Sequence, residues 1–265
     1  MTAPLLSTPD DRAIYRWGAL AIVVVVAALW ELAVRMHLVS GMFVPVPSEI
    51  LRELVRGLWG GSLLAALSAT ASRVASGLII GGAIGALLGL LMGASRRLGR
   101  LLNPLVAAVH PIPKLAMLPL FMVFFGLGET PKIIVVSLAA FFPMLLSTMA
   151  GVRHIAGVHF DAARTYGASR RQLITHVVVP GSVPMMLSGL RLAANIAFLS
   201  AIAVEMVSAK AGLGAEVWLS WQVLRLDQLF ATLVVIASVG VTVNVVLRRL
   251  SGRVAPWLTP RELTI

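Results

Sequence analysis

Cysteine is absent from this chain of 265 residues, and charge is scarce at 12%. The missing cysteines exclude a disulfide-stapled scaffold and any zinc-thiolate or iron–sulfur centre. The low charge excludes an ordinary soluble domain, in which about a quarter of residues are charged and cover the water-facing surface. Lysine is rarer still. The chain has only Lys114, Lys132 and Lys210, none of which follows a glycine, so no phosphate-binding loop of the Gly-x-x-x-x-Gly-Lys-Ser/Thr type can be built. An ATP-driven motor, if one is used, has to be another polypeptide. What is present is apolar: 58% of residues are hydrophobic and the mean hydropathy is +0.93, which excludes a disordered chain. The chain reads as a membrane protein.

A spanning helix needs about 20 mostly apolar residues. The first candidate runs from about Trp17 to Val34; Asp10 and Asp11 ahead of it, and no small-x-small site behind it, argue against a signal peptide. Others run from about Val74 to Gly93, Pro104 to Leu127, Ile133 to Ala150, Met185 to Val207 and Leu229 to Leu247. The expectation is an all-α protein of about six transmembrane helices. In the second, Gly77, Gly81, Gly85 and Gly89 recur every fourth residue, a stripe that lets another helix backbone approach closely. The third is broken by Pro111, Pro113 and Pro119. Pro47 to Arg56 reads as a short amphipathic helix capped by Ser48 on the outer interface.

The net charge of +11 suits membrane orientation rather than nucleic acid, because no basic helix or aromatic platform accompanies it. With a cytoplasmic N-terminus, the inner segments carry Arg12, Arg16, the Arg96–Arg97–Arg100 group, Arg153, Arg164, Arg170, Arg171, Arg248, Arg249, Arg253 and Arg261. The outer ones carry only Arg35, Arg52, Arg56, Lys132, Lys210 and Arg225. This asymmetry puts both termini inside. The organisation is then a cytoplasmic tail over 1–16, a first span with the outer helix over 17–61, a core over 62–250, and a cytoplasmic tail over 251–265.

The longest polar stretch, 151–184, lies between spans four and five. Asp161 is expected to open a short helix through Tyr166, Gly167 to end it in a left-handed conformation, and Ser169 to cap a second helix. Pro180 and Pro184 are expected to punctuate the return to the membrane. This stretch carries a specific pattern: Asp161-Ala162-Ala163, three residues, Gly167, nine residues, then Val177-x-Val179-Pro180. It resembles the Glu-Ala-Ala…Gly…Ile-x-Leu-Pro motif of the integral membrane permeases of bacterial ATP-binding-cassette importers. All spacings are kept, with Asp for Glu and Val for Ile and Leu. Phe43-Val-Pro-Val-Pro-Ser-Glu-Ile50, Pro111 to Leu120, Phe125-Gly-Leu-Gly-Glu129, Gly189-Leu-Arg-Leu192, and Glu205 followed by Gly212-Leu-Gly214 resemble the nitrate, taurine and alkanesulfonate permeases in particular. The resemblance implies a type I importer permease fold of the methionine-permease kind in the bacterial inner membrane. It also implies a second permease copy, a homodimer, and two ATPase subunits that bind the ATP and magnesium, so this chain needs no cofactor. An extracytoplasmic binding protein would deliver a small, anionic solute. Asp161, Ala162, Ala163, Gly167, Val177, Val179 and Pro180 would form the coupling elbow.

Polar groups at membrane depth often line a pathway. Lys114 and His110, beside the proline break, are candidates to meet an anionic substrate, although Lys114 could equally cap a carbonyl. Glu205 could gate the pathway or hold the Gly212–Gly214 loop. Asn195 is a further candidate, and with Asn244 it also suits an interhelical hydrogen bond. The histidines show no metal-ligand spacing. An ion-gradient-driven carrier would be expected to show internal repeats, and none is found; an intramembrane hydrolase would need Ser with His or paired Asp at one depth, and neither is found.

Overall fold

Two stripes of small residues decide how the helices pack. The computed structural model describes residues 9–41, 43–208 and 210–255, and its elements there are helices. They are α1 (Pro9–Arg35), α2 (Pro47–Trp59), α3 (Ser62–Ala94), α4 (Arg96–Val109), α5 (Leu118–Phe125), α6 (Thr130–Arg153), α7 (Gly157–Thr165), α8 (Arg170–Leu173), α9 (Val179–Ser208), α10 (Leu213–Gln222) and α11 (Leu226–Val254). Helix α6 is central. On one side it meets the glycines of α3: a Cβ on Gly85 would lie 2.5 Å from the Phe141 carbonyl oxygen, and one on Gly89 2.6 Å from that of Leu145. On the other side, Ala193, Ala197 and Ala201 of α9, all fully buried, pack against Val136, Ala140 and Met144 of α6. The second stripe obeys the same small-residue rule as the first.

Among the described residues, four helical stretches are long and apolar enough to cross a membrane: α3, α6, the continuous run Arg170–Ser208, and α11. Helix α1 adds a long run in which Ile22, Val23, Val24, Val25 and Val26 are all exposed, as on a lipid-facing helix. The third span is broken, as its prolines predict. The chain turns between α4 and α5, because Pro111 and Pro113 deny the backbone two donors there, and only a short 3-10 turn at Leu115–Met117 intervenes. The expected total of about six transmembrane segments is thus made up by α1, these four stretches and the broken α4–α5 segment.

Other boundaries move for local reasons. Helix α3 starts at Ser62 rather than Val74, since Ser68, Ser72 and Thr70 satisfy their hydroxyls on carbonyls of the preceding turn. Ser48 does not cap α2: its N–H and hydroxyl both donate to the Glu31 carboxylate of α1, tying the two helices together. Helix α10 was not foreseen from the sequence. Helix α1 begins at Pro9 and α11 reaches Val254; what was expected of 1–8 and 256–265, Arg261 included, lies outside the described residues.

Candidate functional site

The elbow between α6 and α9 is built from two local motifs. Helix α7 opens at Gly157, a turn before Asp161, which corrects the expected start; Asp161 sits mid-helix with its side chain 77% exposed, 3.7 Å from Arg164. After Thr165 the Gly167 N–H donates to the Arg164 carbonyl and the Ala168 N–H to that of Ala163. This is a Schellman ending, and Gly167 takes the left-handed φ of +74° that it requires. Ser169 then caps α8. Its hydroxyl accepts from the Gln172 N–H at 3.3 Å, while the Gln172 side chain accepts from the Ser169 N–H at 2.8 Å. The Ser169 cap agrees with expectation; the reciprocal bond from Gln172 completes a capping box that was not expected.

The prolines behave differently from expectation. The helix does not stop at Pro180 or Pro184; it runs on from α8 into α9 through a π-helical turn at Ile174–Val178. The proline ring would clash with the carbonyl four residues back. Widening that turn moves the carbonyl aside, so the helix continues into the membrane. Val177 and Val179 are half-buried around the fully packed Val178, while Val158, Tyr166 and Ile174 are exposed. The elbow therefore has a stiff backbone and an outward surface of Asp161, Val158 and Tyr166.

The pathway candidates fall in three separate places. Lys114 Nζ donates to the His110 carbonyl and lies 4.7 Å from the centroid of the Phe142 ring, a cation–π arrangement; the His110 ring is 5.1 Å from the same ring. Asn195 and Asn244 exchange hydrogen bonds of 3.3 and 3.2 Å between α9 and α11. Glu205, roughly 15 Å along α9 from Asn195, is fully buried. It accepts from Thr70 Oγ1 at 2.9 Å, Arg73 Nη1 at 2.7 Å and the Gly214 N–H at 3.0 Å. The same Arg73 bonds the Glu129 carboxylate and the Ala211 carbonyl, and Lys132 reaches Glu129 at 2.8 Å. This network of two cations and two carboxylates was missed from the sequence. Arg73 stood inside an apolar helix beside a glycine stripe, the one signal that could have flagged it.

The hydrogen bonds from Arg73, and then those from Lys132, hold the Glu129 carboxyl down to about 2. A carboxyl whose folded value is depressed gives stability that is present above its unfolded value of ~4.3 and is lost as pH falls toward 2. Glu129 is half-exposed, so solvent screening reduces the effect. Thermal melts of the detergent-solubilised protein between pH 7 and pH 3 should show the wild type losing more than Glu129→Gln; equal losses would deny Glu129 this part.

The model of the family described as binding-protein-dependent transport system inner membrane component matches residues 81–260. The chain belongs to that family. The permease is 34% identical to the taurine transport system permease protein TauC of Escherichia coli (strain K12), covering 91% of this chain and 88% of the relative. It is 30% identical to the putative aliphatic sulfonates transport permease protein SsuC of Bacillus subtilis (strain 168), covering 94% and 90%. Its fold matches an inward-facing structure of the MetNI methionine ABC transporter with a TM-score of 0.58 at 20% identity, covering 77% of this chain and 97% of that one. The permease is thus a multi-pass membrane component of an ABC importer with a type I fold, a transport subunit rather than an enzyme. Membership implies a solute-binding protein and an ATPase as partners. Helices α1 and α2 precede the matched region.

Proposed function

We propose that the permease forms, as a homodimer, the translocation pathway for a small anionic solute of the sulfonate class in a bacterial inner membrane. A binding protein on the outer face delivers the solute, and two copies of a separate ATPase, which hold ATP and magnesium, drive the cycle through the elbow of Asp161, Ala162, Ala163 and Gly167. The observation that carries this reading is the stiffness of an exposed elbow. A Schellman ending and a capping box fix its angle, while Tyr166 at 91% exposure and Val158 at 66% have no cover among the described residues. An apolar surface held out on a rigid arm can pass a push from a docked partner into α6 and α9, to which it is continuous. Val177, Val179 and Pro180 set the π-helical joint through which that push enters the membrane. The names of the taurine and sulfonate relatives, together with the Lys114 cation at the helix break, support an anionic solute. His110 and Lys114 at the helix break are the residues proposed to meet it, with Asn195 and Glu205 bracing the moving helices behind them.

Gly167→Val tests the coupling. A β-branched residue at a φ of +74° carries strain of about 1–3 kcal/mol, enough to re-aim the elbow. Affinity purification should recover a nucleotide-binding partner with the wild type and lose it with Asp161→Lys or Gly167→Val, while membrane insertion is retained. Gly167→Asn, which tolerates the left-handed region, should keep most of the partner. ATP-dependent uptake of labelled taurine should follow the same order. Uptake that survives in Gly167→Val, or that depends on an ion gradient and not on ATP, would replace this reading with that of a carrier.

A further inference from the structure

Behind the elbow, between it and the inner ends of α3, α4 and α6, lies a cleft of about 1280 Å³. Six arginines line it: Arg96, Arg97 and Arg100 of α4, Arg153 at the end of α6, Arg164 of α7 and Arg170 of α8. None of its lining residues is acidic. Among the described residues only Arg164 of the six has a carboxylate within ion-pair range, that of Asp161. The cluster is also placed against local electrostatics. Arg96 and Arg97 stand in the first turn of α4, where the helix dipole disfavours cations, and Arg96 and Arg100 are like charges one turn apart. An anion in the cleft would remove both penalties at once.

The surroundings say what kind of anion. The floor is apolar, with Met92, Val152 and Val178 buried beneath the arginines. Outside the mouth, α4 exposes Leu101, Leu105 and Val109, one stripe at a spacing of four. The cleft sits where α3 and α6 end, at the level at which spanning helices leave the bilayer. A basic mouth beside an apolar stripe at that depth matches a lipid, with its phosphate among guanidinium groups and its acyl chains along α4. The exposed Val158, Asp161 and Tyr166 are not among the lining residues, so an ATPase docked on the elbow would leave the cleft to the lipid.

We propose that this arginine cleft binds the headgroup phosphate of an anionic phospholipid of the inner leaflet, which wedges between the elbow and the helical core. The inference rests on the inner-face placement of the elbow in the importer reading. Its readout, lipid retention, needs neither ATP nor transport, so the two readings fail separately.

Native mass spectrometry of the full-length permease, titrated with phosphatidylglycerol, tests it. Arg96→Gln/Arg97→Gln/Arg100→Gln should weaken binding about tenfold or more, as expected for three basic side chains near an anionic headgroup. Arg96→Lys/Arg97→Lys/Arg100→Lys should keep much of it, which separates charge from folding. Arg248→Gln/Arg249→Gln, also basic and on the inner side but outside the cleft, should bind as the wild type does. Phosphatidylcholine should not bind, and inorganic phosphate should not displace phosphatidylglycerol. Unchanged binding in the glutamine triple variant would overturn the proposal, as would equal loss in the α11 control. Full displacement by inorganic phosphate would make the cleft a free-anion site instead. Intact lipid retention with loss of the co-purifying ATPase in the triple variant would make it a protein-docking surface.

Discussion

Arg73→Ala will destabilise the permease by about 3–5 kcal/mol, the cost of breaking a buried ion pair from one side. Glu205 has no exposure to solvent, and Arg73 is its only charged partner among the described residues. Truncating the arginine leaves a carboxylate in the packed interior with two neutral donors, Thr70 Oγ1 and the Gly214 N–H. It also releases the Ala211 carbonyl and one side of Glu129. Glu205→Gln should cost less, because the amide oxygen can still accept from Thr70 and Gly214. The amide NH2 then faces Arg73 Nη1 donor to donor, but Arg73 keeps the Glu129 carboxylate and the Ala211 carbonyl. Thermal melting in detergent, with limited proteolysis of the 210–212 loop, reads both effects. An Arg73→Ala protein that melts with the wild type and keeps that loop protected would show that the network contributes nothing. The network joins α3, α9, the turn before α6 and the loop into α10, so its expected consequence is that the three central helices move as one body.

Gly81→Val will prevent α3 and α6 from closing. A Cβ at Gly81 runs into the Ser137 carbonyl of α6, and the atoms it meets are backbone, which cannot rotate away. Overpacking by a side chain costs 1–3 kcal/mol where neighbours can shift; here the expected cost is about 3 kcal/mol or more, with loss of monodisperse protein in size-exclusion profiles. Gly82→Ala is the internal control. The nearest atom to its Cβ is Leu78 Cδ1, 4.0 Å away on the same helix, so that substitution should be neutral or stabilise α3 by up to ~1 kcal/mol through helix propensity. If Gly82→Ala proves as harmful as Gly81→Val, the damage comes from the loss of glycine itself and the close-approach argument fails.

The two stripes show how far the sequence could be read. The α3 glycines were legible because glycine at a spacing of four inside an apolar helix has few other uses. Ala193, Ala197 and Ala201 follow the same spacing, but alanine is also the commonest helix former, so their stripe does not stand out from the rest of the span. The elbow was legible in outline for a different reason. Left-handed glycine, the Ser169 cap and the motif spacing all act within a few residues, where backbone geometry is set by the chain itself. Its proline joint was not, because whether a proline ends a helix or is absorbed by a π-helical turn depends on whether packing rewards continuation. Glu205 divided into gate or brace on sequence alone; it is set against Arg73, 132 residues earlier in the chain.

The sequence by itself determined that this protein lies in a membrane, which face is cytoplasmic by charge count, that it carries no ATP site of the phosphate-loop type, and where its elbow turns. Those properties follow from composition and from interactions between residues three to five apart, which the order of residues states directly. Tertiary structure alone decided that α6 is the central helix, that Arg73 and Lys132 balance Glu129 and Glu205, and that six arginines from four helices share one cleft. Each of these depends on which distant segments touch. In a chain this apolar, many helix faces are equally willing to meet, so the choice falls to close fit between small residues and to the need of every buried charge for a partner.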